Sequence, residues 1–352
     1  MTKSPERVRQ EAEWGMPSFE EVASAPVLVV TGPTATGKTR LAVELARRFQ
    51  GEIVSVDSRQ VYRGMDLGTG KDREEYGEGA EQVPAHLLDV VEPGENFDCH
   101  RFGELARLAM RQIRGRGRLP VLCGGTPLYL AALLDGYAMA GGPPDEEYRR
   151  QLEALPEEEL LALLRREAPP ELLARTDTSQ PRRVIRALEI ARSGEAGKAV
   201  PPLRRALLLA PLYSRAEVRE RILQRLDARL AAGLVQEVEG LLRQGVSPEK
   251  LEWFGLEYRY VGRFLSGSLA WGEMHDQLVT QIRRFAKRQD IWFRKLEREG
   301  HPIHWIPRGD LFQAASLVRQ FLSEPPPLET GAEAPFFRGE ALLPESRDSG
   351  VY

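Results

Sequence analysis

The run Gly32-Pro33-Thr34-Ala35-Thr36-Gly37-Lys38-Thr39 sets four residues between two glycines, then adds a lysine and a hydroxyl. Such a loop suits a chain of phosphates. Its backbone N–H groups can surround the anion at a helix N-terminus, where the helix dipole favours negative charge. Lys38 supplies a cation, and the Thr39 hydroxyl can ligate Mg²⁺. The motif needs a strand before it and a helix after it. Pro26-Val27-Leu28-Val29-Val30 is short, apolar and β-branched, and Arg40-Leu41-Ala42-Val43-Glu44-Leu45-Ala46 is helix-forming. The eight residues 32–39 are therefore expected to bind a diphosphate or a nucleotide such as ATP, with Thr39 on the metal. The loop alone does not specify a triphosphate.

Ligands of an open parallel sheet bind at the carboxyl ends of its strands. Asp57 and Ser58 directly follow the apolar run Ile53-Val54-Ser55-Val56, so the Asp57 carboxylate should face the crevice that holds the loop. A helix N-cap would use the same residue types. The functional reading gains from Arg59, Gln60, Tyr62, Arg63, Thr69 and Lys71, which cluster just downstream. Thr126 follows the run Leu119-Pro120-Val121-Leu122-Cys123 and Gly124-Gly125, at the same edge, either as a cap or as a reaction-centre group. That run does not end in the aspartate by which an NTPase holds Mg²⁺ near a γ-phosphate. Asp57 is then free to act as a base toward an acceptor. Arg221 and Arg225 lie four apart on one helix face. They are either solvated charges or a pair that reaches a diphosphate. Arg284, Lys287, Arg288, Arg294 and Lys295 form a basic stripe beside Phe285, Trp292 and Phe293, a combination suited to a phosphate backbone and unstacked bases. His301 and His304 lack nearby ligand types and are expected on the surface.

The elements that must position these residues alternate strand and helix over residues 26–142, which predicts a parallel, doubly wound α/β sheet. Residues 1–25 are expected as a flexible arm, 143–200 as a proline-broken helical insertion, 201–323 as a return to the core with C-terminal helices, and 324–352 as a disordered tail. Apolar positions Ile222, Leu226, Leu230, Leu234, Val238 and Leu241 predict one long helix from Arg215 to Arg243, and a second is expected over roughly 273–299. The chain has 352 residues, a net charge of -3 and only two cysteines, Cys99 and Cys123. A cytoplasmic protein with reduced thiols is expected, since no apolar leader opens the chain and no run is long enough to span a membrane. A mildly acidic protein can still bind nucleic acid through a local basic patch.

Taken together the motifs resemble those of the tRNA dimethylallyltransferase (tRNA isopentenyltransferase) family. The similar segments are GPTATGKT, VDSRQVYRGMDLGTGK, PAHLLDVVEPGENF, CGGTPLYLAALLDG, RVIRALE, RILQRLDARLAAGLVQEV and RRFAKRQDIWFR, in family order over about residues 26–306. The resemblance implies a phosphate-loop (P-loop) α/β fold and transfer of a dimethylallyl group from dimethylallyl diphosphate to N6 of adenine 37, beside the anticodon. It implies Mg²⁺ as cofactor and the tRNA anticodon stem-loop as partner. Separately, the chain is expected to act as a monomer. By resemblance Asp57 is the general base, and Lys38, Thr39, Thr126, Arg225 and Arg221 serve the reaction centre. By the same resemblance Asp57, Ser58, Arg59, Gln60, Arg149, Arg182, Arg183, Val184, Ile185 and Arg186 contact tRNA, and Arg284, Lys287 and Arg288 are added from the basic stripe.

The chain departs from the family pattern at several points. Gly68-Thr69-Gly70-Lys71-Asp72 stands where GTAKP is usual, and Gly255-Leu256-Glu257-Tyr258 replaces a Gly-Tyr-Lys/Arg motif. Ala85 replaces the first His of Pro-His-His, and Thr178-Ser179-Gln180-Pro181 replaces an Asn-Asp segment. Two competing readings use the same loop. One is an adenylate isopentenyltransferase acting on a free nucleotide. The other is a P-loop kinase or a nucleotide-binding RNA adaptor, for which the missing strand-end aspartate is unfavourable.

Overall fold

The computed structural model describes residues 16–136, 145–194 and 200–324. Asp135–Pro202 forms a compact unit distinct from the rest of the chain. In the larger unit, a helix α1 (Phe19–Ser24) opens with a Ser18 capping box and buries Val22 and Ala23. That part of the expected arm is therefore ordered by its own cap and by its burial in the core, while residues 1–15 lie outside the described residues. Strand β1 (Val27–Val30), helix α2 (Lys38–Arg48), β2 (Gly51–Ser55) and the short β3 (Ala85–His86) follow. Next come α3 (Cys99–Gly115), β4 (Leu119–Cys123) and α4 (Pro127–Leu134).

The second unit holds α5 (Glu146–Glu153), α6 (Glu157–Glu167), α7 (Pro170–Arg175) and α8 (Pro181–Ser193). Its own core gathers Leu152, Leu160, Leu164, Val184 and Leu188. The chain then resumes the larger unit with β5 (Ala206–Leu212), α9 (Arg215–Ala231), α10 (Leu234–Arg243), α11 (Pro248–Phe254) and α12 (Leu256–Leu265). It ends in α13 (Trp271–Arg298), β6 (Ile303–Pro307) and α14 (Leu311–Ser323), and residues 325–352 of the expected tail lie outside the described residues.

The six strands form one sheet in the order β3-β2-β4-β1-β5-β6, with every pair parallel. All four residues of β1 are buried because both faces are covered, which is why the strand reads as a continuous apolar run. Val27 and Val29 join a core with Phe102, Leu130, Ile222 and Leu278. Leu28 and Val30 face the opposite core, with Leu41, Leu45, Val318 and Phe321. Each such side chain removed from water contributes about 1.5–3 kcal/mol.

Two further sequence expectations change. The single helix expected over 215–243 is two, because Gly233 adopts φ 107 and turns the chain between them. The apolar period continues across the break because both helices pack on one core, so periodicity could not reveal it. His301 and His304 are not at the surface: they are 3% and 7% exposed, beside and within β6, a strand that periodicity did not announce.

Candidate active site

The phosphate loop joins β1 to α2. Gly37 takes φ 78 at the N-cap of α2, and Ala35 also has positive φ, at 64. The neighbouring loop after β4 lies close by. Gly124 N–H donates to Val30 O (3.2 Å), and Thr31 Oγ1 donates to Gly124 O (2.9 Å). A Cβ at Gly124 would lie 2.1 Å from Val56 O, so only glycine lets this loop approach the end of β2. That approach brings Asp57 and Thr126 together. Ser58 N–H donates to Thr126 Oγ1 (3.0 Å), while Asp57 Oδ1 accepts from Arg59 N–H (2.8 Å) and Gln60 N–H (3.3 Å). Asp57 thus closes a turn with one oxygen and also lines the cavity in front of the loop.

The cavity holds about 640 Å³ and is lined by loop residues, Asp57 to Gln60, Thr126, Arg221, Arg225, Arg229, Phe254, Glu257, Tyr258, Ile282, Phe285 and Gln289, among others. Arg221 and Arg225 are turned onto the loop rather than left in solvent. Arg221 Nε donates to Ala35 O (2.7 Å) and its guanidinium lies over the Tyr213 ring, while Arg225 donates to Thr34 Oγ1. Lys38 Nζ donates to Pro33 O (3.3 Å). Burial, and then Arg225, push the Lys38 ammonium below its ordinary value. Burial, and then Arg229, push Arg225 down to about 10. Cations crowded out of water in this way are stabilised by an anion among them. The Cys123 thiol at the same edge is pushed up to about 12 by burial, so it is a neutral group and not a nucleophile.

Arg59 lies against α11: its guanidinium stacks on Trp253 (4.2 Å), and Nε and Nη2 donate to Phe254 O and Trp253 O, each at 3.1 Å. Lys71, in contrast, is wholly buried and does not reach the cavity. Its ammonium bonds Tyr62 O (2.7 Å), Asp66 Oδ1 (2.7 Å) and Asp89 Oδ1 (2.5 Å), which fixes the 66–72 segment. On α13, Arg284, Lys287, Arg288 and Lys295 are exposed, whereas Arg294 pairs with Asp290 (3.1 Å) and Lys295 with Glu299 (3.5 Å). Among the described residues no carboxylate pairs with Arg284, Lys287 or Arg288. Within the second unit, Val184 and Ile185 are 1% and 5% exposed, so these two side chains hold α8 in place and do not face a ligand. Arg149 and Arg186 both bind the buried Glu189, Arg183 pairs with Asp177, and Arg182 is exposed.

Two supporting residues escaped sequence reasoning. Gln289 is 4% exposed and joins the two loops: Thr34 N–H donates to its Oε1 and its Nε2 donates to Gly125 O, both at 2.8 Å. The one signal in the sequence was its place on the apolar face of α13, in line with Leu278, Ile282, Ala286, Phe293 and Leu296. Glu237 accepts the N–H groups of Asp66 (2.9 Å), Leu67 (2.7 Å) and Gly68 (3.0 Å) and the Tyr258 hydroxyl (2.8 Å). No local motif marks it.

A parallel α/β sheet with a phosphate loop, a strand-end carboxylate across a cationic cavity and a basic helix beside it describes a group-transfer protein of the P-loop class. A family model described as IPP transferase matches residues 60–296, and one described as isopentenyl transferase matches residues 25–84. The chain is 46% identical over 300 residues to tRNA dimethylallyltransferase 1 of Geotalea uraniireducens (strain Rf4), covering 84% of this chain and 98% of the relative. It is 48% identical over 294 residues to tRNA dimethylallyltransferase 2 of Pelobacter propionicus, covering 82% and 92%. The crystal structure of the tRNA isopentenylpyrophosphate transferase of Bacillus halodurans superposes with a TM-score of 0.61 at 32% identity, covering 84% and 96%. That of a eukaryotic dimethylallyltransferase acting on tRNA superposes with 0.67 at 26% identity, covering 84% and 77%. The chain belongs to the tRNA dimethylallyltransferase family.

Proposed function

We propose that this protein transfers the dimethylallyl group of dimethylallyl diphosphate to N6 of adenine 37 of tRNA, with Asp57 as general base. The observation that carries the reading is that the phosphate loop and the Asp57 carboxylate line one cavity, which also holds Arg221, Arg225 and Thr126. The loop's N–H groups, Lys38 and the two arginines hold the donor diphosphate. As the allylic C1–O bond breaks, these cations stabilise the departing diphosphate anion. As the C1–N6 bond forms, the N6 proton passes to Asp57. The Arg59 and Gln60 N–H groups hold that carboxylate, and Thr126, which accepts the Ser58 N–H, fixes the same turn. The apolar wall of Phe254, Ile282 and Phe285 limits water around the allyl group.

Thr39 fits Mg²⁺: a hard hydroxyl at the loop suits this ion, which keeps several waters and shares substrate phosphates. Thr39 would be the side chain that holds the ion beside the donor diphosphate. The ion would supply charge neutralisation to the diphosphate. The target base leaves the anticodon stack to reach the cavity. The exposed Arg284, Lys287 and Arg288 run beside it on α13, suited to the anticodon-stem backbone, and Arg182 offers a further cation to the RNA. The reading takes the protein as a cytoplasmic monomer; no described helix is long and apolar enough to cross a membrane.

The test is mass spectrometry of nucleosides after incubation with dimethylallyl diphosphate, Mg²⁺ and either a tRNA or AMP. Gain of one dimethylallyl group on adenosine 37 of the tRNA is expected. Faster prenylation of AMP would replace this reading with the free-nucleotide one.

A further inference from the structure

Arg221, Arg225 and Arg229 recur at every fourth position of α9. The first two reach the loop. The third does not, although it lines the same cavity and is only 7% exposed. Its Nη2 lies 3.3 Å from Asp72 Oδ1 and its Nη1 3.8 Å from Glu257 Oε1. The place is built for it. A Cβ at Gly70 would lie 1.8 Å from Arg229 Nη2, so a side chain at position 70 would expel the guanidinium. Asp72 cannot drift, because Glu237 holds the backbone of 66–68 and the buried Lys71 anchors the next residue.

We propose that Asp72, Arg229 and Glu257 form a positioning device that keeps Arg225 directed at the phosphate loop, so that Arg229 sets donor affinity by acting through Arg225. This rests on the reading of the loop as the donor diphosphate site. Arg225 feels all three groups: Arg229 repels its charge, while Asp72 and Glu257 attract it. With Arg229 between them, the two carboxylates are occupied and Arg225 stays on Thr34. Without Arg229, the carboxylates become the nearest anions for Arg225 and compete with the diphosphate. They would also repel that diphosphate directly.

The test measures calorimetric affinity for inorganic diphosphate with Mg²⁺. R229M should weaken binding roughly tenfold, the usual scale for one coupled charge in a network. Neutralising the competitors in the triple variant R229M/D72N/E257Q should restore binding to within roughly threefold of wild type, and R229K should recover part of the loss. A purely structural role predicts no such rescue, so a triple variant no better than R229M overturns the proposal, as does R229M binding like wild type. K38A separates the underlying reading: if wild type does not bind diphosphate, or K38A binds it equally well, the loop is not the donor site and the proposal falls with it. If R229M does not fold, R229K decides: it should bind diphosphate more weakly than wild type, and adding D72N and E257Q to it should restore binding. A variant R229K/D72N/E257Q no tighter than R229K, or R229K binding like wild type, overturns the proposal.

Discussion

Replacing Asp57 by Asn separates its two jobs. One is structural: Oδ1 accepts N–H groups from Arg59 (2.8 Å) and Gln60 (3.3 Å). An amide oxygen can accept both, so Asp57→Asn should change stability by less than about 1 kcal/mol, whereas Asp57→Ala, which removes the acceptor, should cost about 1 kcal/mol more, as at a helix cap. The other job is chemical, and the amide cannot take the N6 proton. Loss of a general base slows a reaction ~10²–10⁴-fold, which is about 3–5 kcal/mol of barrier. Donor affinity should stay level or rise, because one negative charge leaves an anion site. The assay is a rapid-quench single turnover with saturating dimethylallyl diphosphate and excess tRNA, beside thermal unfolding of both variants. A near-normal single-turnover rate in Asp57→Asn refutes the assignment. Equal losses of rate and stability in both variants would show that the turn, not the base, matters.

Gln289→Leu removes two 2.8 Å bonds and leaves Thr34 N–H and Gly125 O without that partner. At about 1–3 kcal/mol for each buried group, denaturant unfolding should show a loss of about 2–6 kcal/mol, with diphosphate affinity falling alongside. Replacing Arg284, Lys287 and Arg288 together by Ala should raise the Kd for tRNA and reduce the slope of log Kd against log salt by roughly 0.7–0.9 for each phosphate no longer neutralised; an unchanged slope in a folded variant removes these residues from the RNA surface. The hydrogen bond to Asp227 (2.8 Å), then Asp276, raises the His275 pKa. A raised value in the folded state stabilises the protein below the unfolded value of about 6.5, and that contribution is lost as pH rises through the folded value. His275→Asn should therefore lower the Tm most in mild acid, by no more than the equivalent of about 1 kcal/mol for a partly exposed pair, and should match wild type at alkaline pH.

The loop, its strand and helix, and the carboxylate after β2 were legible because their chemistry is local. Glycine backbone freedom, helix dipole and strand periodicity act over a few residues, so spacing alone carries them. The same locality explains the misreadings. The apolar period runs unbroken through Gly233, and nothing local in residues 303–307 announces the strand that buries His304. What the sequence could not reveal is which polar groups fold inward. Gln289 bonds a loop 255 positions away, and Arg229 meets Asp72 across 157. A buried polar group must find a partner or lose its hydration without return, and that partner is chosen by how the helices pack on the sheet. The anion site is thus written in eight consecutive residues, while the polar framework that aims its arginines exists only once α9, α11, α12 and α13 have closed over it.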